Sequence, residues 1–130
     1  MERNSICRTM KTLIDPQKHE SILAEWRGAQ AKIWVFHITH NRLALSLFRN
    51  GEQEAIYIVA IGCEHISGRF SWKEADVEII AEPPTQWGEI RHRVVDKKAG
   101  FELLCSGVAI ARGPAGVPES PFESFLDDTK

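Results

Sequence analysis

The sequence predicts an α+β domain, in which one N-terminal amphipathic helix packs on a curved antiparallel sheet of about six strands in meander order. Three observations predict it. Apolar residues fall at helical spacing between Pro16 and Arg27. From Ala31 onward the chain is rich in β-branched and aromatic residues, in runs of strand length. The runs are joined by short connections, which suit antiparallel hairpins and leave no room for the long crossovers of parallel pairing. Such a run of strands also permits closure into a small barrel.

The helix is expected from Pro16 to Arg27. Asp15 can accept hydrogen bonds from free amides at its start, and Pro16 suits the first helical position, where the amide needs no partner. Ile22, Leu23 and Trp26 share one side, with Lys18, Glu20, Glu25 and Arg27 on the rest, and Gly28 offers a left-handed cap. Ala31 to Thr39 follows as a strand, with Ile33, Val35 and His37 on one face and Trp34, Phe36 and Ile38 on the other. His40-Asn41 turns the chain into a strand over Leu43 to Phe48. Asn50-Gly51 is a hairpin signal, because both central residues of the favoured turn take positive φ. It leads into Ala55 to Ile61, apolar on both faces and therefore a central strand. Asp76 to Glu82, Ile90 to Val95 and Phe101 to Ile110 complete the set.

Residues 1–111 are read as one domain and residues 112–130 as a Gly/Pro-rich linker and tail. Within the tail, Ser120-Pro121-Phe122-Glu123 puts a cap residue, a first-turn proline and a glutamate in register for a short helix carrying Phe122, Phe125 and Leu126. Such a helix would dock on its own domain or on a neighbour; the alternative is an exposed terminus. A strand, a helix and then consecutive antiparallel strands resemble, in element order, cystatin-like and hotdog-like arrangements. That likeness covers most of the chain, carries no motif and implies no function.

At 130 residues, with 43% apolar and 26% charged side chains, the chain can bury a core without metal or disulfide staples. Sixteen basic and eighteen acidic residues leave a formal charge of −2, no footprint for nucleic acid beyond a local patch. Three widely spaced cysteines, Cys7, Cys63 and Cys105, form neither a disulfide framework nor a zinc pattern and fit reduced thiols in a cytoplasm. The N-terminal residues lack the apolar stretch of a signal peptide, and no window reaches membrane-spanning length. Neither membrane association nor a cofactor is expected.

Candidate chemistry gathers in Gly62–Trp72, GCEHISGRFSW, between apolar strands. In an extended chain Cys63 and His65 point the same way, as a nucleophile and base or as two metal ligands would. Further ligands would have to come from His37, His40, His92 or Cys105, and the competing reading is an inert buried cysteine. His37 and His92 each lie within a strand among apolar residues and need partners if they face inward. Arg69 could fork onto a carboxylate or phosphate, with Trp72 as a stacking surface. Against that, Ser71-x-x-Glu74 is a capping-box pattern, which predicts a helical turn anchored by Phe70 and Trp72. Trp87 sits on a loop after Pro83-Pro84, a recognition anchor if exposed. Arg91 and Arg93 share a strand face and could pair with Glu78 or Glu82. Nucleotide-binding glycine loops, GxSxG, HExxH and EF-hand patterns are all missing from the sequence.

The leading expectation is a non-enzymatic module that binds a small molecule or a protein. Its strands, apolar on both faces, require either sheet closure or a second subunit, hence a homodimer. The alternatives are a small enzyme using Cys63 and His65, with or without a metal, and an assembly protein docking through its tail.

Overall fold

Asp15 and Pro16 open the helical segment as their chemistry dictates: the Asp15 carboxylate accepts from the Gln17 amide at 3.0 Å. The computed structural model describes residues 12–115. A short edge strand, β1 (Thr12–Leu13), precedes a single 3-10 turn, Pro16–Lys18, which runs into α1 (His19–Glu25). The helix stops short of Arg27 because Arg49 reaches over from a later hairpin. Its guanidinium donates to the carbonyls of Glu25 (2.9 Å) and Arg27 (3.2 Å) and lies 4.9 Å from the Trp26 ring centroid. A cation there satisfies carbonyls that have no partner within the helix. Ile22, Leu23 and Trp26 are buried, as their shared side predicts.

The strands are β2 (Gln30–His37), β3 (Arg42–Phe48), β4 (Glu54–Ile61), β5 (His65–Ser67), β6 (Ser71–Trp72), β7 (Glu78–Ala81), β8 (His92–Asp96), β9 (Phe101–Cys105) and β10 (Gly107–Pro114). All pair antiparallel, but in two sheets rather than one meander: a six-stranded sheet in the order β1-β10-β4-β3-β2-β6 and a four-stranded sheet β5-β9-β8-β7. Among the described residues both sheets have free edges, and neither closes into a barrel. Their inner faces and α1 enclose one core that includes Leu45, Ile58, Val94, Phe101, Leu103 and Ile110. The outer face of the larger sheet buries Ala44, Ala55, Tyr57 and Val59, with Trp34, Val35 and Phe48 packed beside them. Strand β4 is therefore central and buried along Ala55–Ala60, as its two apolar faces require. Residues on both faces of β4 are buried.

The division into two sheets comes from a bulge. Ile61 pairs with Gly107 and His65 with Leu104, so three residues, Gly62 to Glu64, lie opposite two, Cys105 and Ser106. The Ser106 amide (2.9 Å) and hydroxyl (3.0 Å) both donate to the Ile61 carbonyl, and the ladder bends there. Gly62 takes φ +66°, and a side chain at this position would run into the Ser106 hydroxyl. The run Phe101 to Ile110 is thus split at Ser106 into β9 and β10. Strand β10 also continues through Arg112 to Pro114, and the Ala115 amide donates to the Gln53 carbonyl at 2.8 Å. Cys7 and the expected helix over Ser120 to Leu126 lie outside the described residues.

Two turns differ in detail. The strand expected to reach Thr39 ends at His37, and residues 38–41 form the turn, with Asn41 at φ +51°. In the Asn50-Gly51 turn, expected to take positive φ at both residues, only Gly51, at φ +87°, is left-handed. Ser71 and Glu74 form no capping box: Ser71 and Trp72 are strand residues paired with Lys32 and Ala31. Strand pairing prevails because Asp96 pins the segment. Its fully buried carboxylate accepts from the Trp72 indole N–H (2.7 Å), the Asp76 amide (2.7 Å) and the Ala99 amide (3.3 Å). The three donors come from separate segments, so one buried acid ties β6, the following turn and the β8–β9 hairpin together.

Candidate functional site

One device shapes the most distinctive surface of the protein. Strand β2 pairs with β3 as Ile33↔Leu45, then Val35↔Ala44 and Phe36↔Leu43, so Trp34 is an extra residue in the ladder. Strict alternation would put Phe36 on the outer face beside Trp34. The bulge reverses the parity: Trp34 and Val35 both pack on the outer face, and Phe36 joins Ile33 and Leu43 on the inner one. His37, opposite Arg42, is exposed rather than inward.

Phe36 thereby enters a cleft of about 270 Å³ where the two sheets part. Strands β2 and β3 supply Ile33, Phe36 and Leu43; the corner and β5 supply Cys63, Glu64, His65 and Ile66; Phe70 and Leu103 complete the lining. Apart from Glu64 and His65 the lining is apolar. Three of its large side chains lie open to solvent: Phe70 at 79%, Phe36 at 48% and Ile66 at 44%. Their backbones are held. Phe36 and Ile66 sit in paired strands, and the Phe70 carbonyl accepts from the Ile33 amide at 2.7 Å. Gly68 lets the chain turn before Phe70, at φ +129°, with its α-carbon packed so closely that an added Cβ would lie 2.8 Å from the Phe101 α-carbon.

Cys63 is half-buried in this cleft, its thiol 3.6 Å from the Ala60 carbonyl. Burial pushes the thiol up to about 11, so it is a neutral, weakly polar wall of the cleft at physiological pH. Cys105, fully buried behind it, is pushed to about 12, first by burial and then by the neighbouring Cys63. His65 stands exposed at the rim, and Glu64 points its carboxylate to Arg91 at 2.8 Å.

The six residues singled out from the sequence do not converge. Cys63 and His65 share the cleft. Arg69 lines a separate groove near Trp72, whose buried indole is committed to Asp96 and lies 4.7 Å from the Phe101 ring. His37 stacks on His40 at the β2–β3 turn, ring centroids 4.9 Å apart. His92 faces a third groove beside α1, with Cys105 as its cross-strand neighbour. Among the described residues no group of three or more His, Cys, Asp or Glu is placed to hold a metal ion. Arg93 pairs with Glu82 at 3.0 Å and with Glu102, while Arg91 pairs with Glu64 and Glu89; both arginines stay on the solvated side of the smaller sheet. Trp87 is exposed on a turn tied by the Thr85 hydroxyl, away from the cleft lining.

Sequence reasoning missed the cleft's three apolar side chains. Alternation groups Phe36 with Trp34 because it carries no notice of a bulge, and the capping-box pattern makes Phe70 an anchor of a helical turn that does not form. Gly68 was the available signal: a glycine within a run of reactive residues marks a turn that turns the next side chains outward. No family model, curated protein or solved structure matches this chain. Among the described residues no helix is long and apolar enough to cross a membrane.

Proposed function

We propose that this chain is a non-catalytic binding module that receives an apolar group in the cleft between its sheets. The observation that carries this reading is the exposure of Phe36, Ile66 and Phe70 around one apolar concavity while their backbones are fixed. Exposed apolar side chains clustered at a concavity mark interaction sites, and fixed ones lose little entropy on binding. At about 270 Å³ the cleft is slightly smaller than the sites that enclose whole drug-sized ligands, roughly 300 Å³ and above. It suits one ring or branched aliphatic group, the rest of the ligand lying across the rim. Such a group belongs equally to a small molecule or to a protein side chain.

The neutral Cys63 thiol favours this reading over an enzyme. A nucleophilic cysteine needs a depressed pKa, and here desolvation acts the other way. The experiment is a titration with N-phenylnaphthylamine, a neutral dye that fluoresces in apolar surroundings. Wild type is expected to bind it, and Phe70→Ser and Ile66→Ser to bind at least about fivefold more weakly, from the loss of apolar contact. Equal binding by all three proteins would refute the assignment.

A homodimer is the second reading, with the same rim as its contact. Light scattering is then expected to give a dimer for wild type and a monomer for Phe70→Ser. A monomer for both leaves the cleft to a different ligand and removes the dimer.

A further inference from the structure

Beside the edge strand β6 lies a groove of about 780 Å³, unlike the cleft in its chemistry. It gathers Lys32 from β2, Arg69 and Lys73 from either side of β6, and Lys98 from the β8–β9 turn, against one carboxylate, Glu74. None of the four cations pairs with an acid among the described residues, whereas Arg27, Arg91, Arg93 and Arg112 each do. The chain as a whole has a formal charge of −2, so the groove is a local concentration rather than general basic character. Like charges held together repel, and a concave wall focuses their field, so the site favours a bound anion.

The groove is also built on fixed parts. Trp72 on its wall is held by the buried Asp96 carboxylate, and Ala75, just past Lys73 and Glu74, is bonded on both sides: its amide to the Ala29 carbonyl (2.7 Å), its carbonyl to the Gly28 amide (2.8 Å). Lys32 holds its ammonium 5.0 Å from the Trp34 ring centroid and 5.4 Å from that of Phe48. Neutral donors stand among the cations, the Ser71 hydroxyl and the Gln30 amide.

We propose that this groove binds a compact small molecule carrying two or more phosphate groups, held by Lys32, Arg69, Lys73 and Lys98. Arg69 can fork onto one phosphate, and the lysines act as point charges on the others. A nucleic-acid strand fits less well. Trp72 is buried and offers no stacking face, and a strand needs an extended track rather than one bounded groove.

The test is calorimetric titration with inorganic tripolyphosphate at low salt, alongside citrate and single-stranded oligonucleotides of increasing length. Tripolyphosphate is expected to bind, about tenfold or more weakly to the Arg69→Ala/Lys98→Ala variant, from the loss of charge-assisted hydrogen bonds. Both replaced side chains are exposed, and an unchanged melting temperature shows that the variant folds. On wild type, amide NMR shifts should centre on Lys32, Arg69, Ser71 and Lys98. No binding, shifts centred elsewhere, or equal affinity for the variant would overturn the proposal. Citrate binding as tightly would overturn the phosphate class, and oligonucleotide affinity that exceeds tripolyphosphate and grows with length would replace it with a nucleic-acid site.

Discussion

The two ends of the segment from Gly62 to Trp72 are built on opposite plans. At its start the chain bends at a bulge, leaves the smaller and larger sheets parted, and exposes Ile66 and Phe70 to solvent. At its end Trp72 is buried against Phe101 and bonded to Asp96. The same eleven residues hold an open cleft and a sealed wall. Openness in this protein follows from whether a side chain has a partner across the core, not from whether it is apolar: Phe70 and Trp72 are two residues apart and equally aromatic. The sealed end is built for stability, and the open end is the surface proposed to bind.

Removing Asp96 is expected to break the sealed end most severely. Asp96→Ala leaves the Trp72 indole and two backbone amides without their acceptor. Each buried donor left unsatisfied costs about 1–3 kcal/mol, so chemical denaturation should show a loss of at least about 3 kcal/mol. Gly68→Ala comes next. It forces a methyl group against the Phe101 backbone at a φ that other residues avoid, for an expected loss of about 2–3 kcal/mol in the same measurement. Because Gly68 also sets the direction of Phe70, the variant should bind the neutral dye less well even at temperatures where it stays folded.

At the open end the comparison predicts the reverse. Phe70→Ser is expected to change stability by no more than about 0.5 kcal/mol, as surface substitutions do, while weakening dye binding. A large loss of stability would show that Phe70 supports the core and would erase the distinction between the two ends. The smallest effect concerns Cys63. Its alkylation by iodoacetamide should stay slow at pH 7–9 and accelerate only as the pH approaches about 11. The sign for stability follows. The folded thiol holds its proton to higher pH than the unfolded one, so this group's contribution is full below the unfolded thiol's pKa. It declines as the pH rises from near 9 toward about 11. Rapid alkylation at pH 7 would revive the nucleophile.

Much of the scaffold is legible in the sequence because local chemistry decides it. The Asp15-Pro16 start, the apolar side of α1 and the two apolar faces of β4 each follow from residues within a few positions of one another. What escapes is set at long range. Trp34 becomes an extra residue only through its pairing with β3, and that one insertion moves Phe36 from the outer face to the cleft. Asp96 reads as the first residue of a charged turn, and nothing near it announces the two donors, the Trp72 indole and the Asp76 amide, that come from a distant segment. The capping-box pattern at Ser71 and Glu74 is real in the sequence, and tertiary pairing with β2 overrides it. Cys63, Glu64 and His65 all line the cleft from the bulge and the start of β5, where simple alternation does not hold, and desolvation makes the thiol a wall rather than a reagent.

The most direct test of the cleft as a binding surface is amide NMR of the isotope-labelled chain titrated with the neutral dye. The account predicts shifts concentrated at Phe36, Leu43, Cys63, Ile66 and Phe70, with the amides of Asp76 and Asp96 unmoved. Shifts centred on the third groove beside α1, or no saturable change at all, would contradict it.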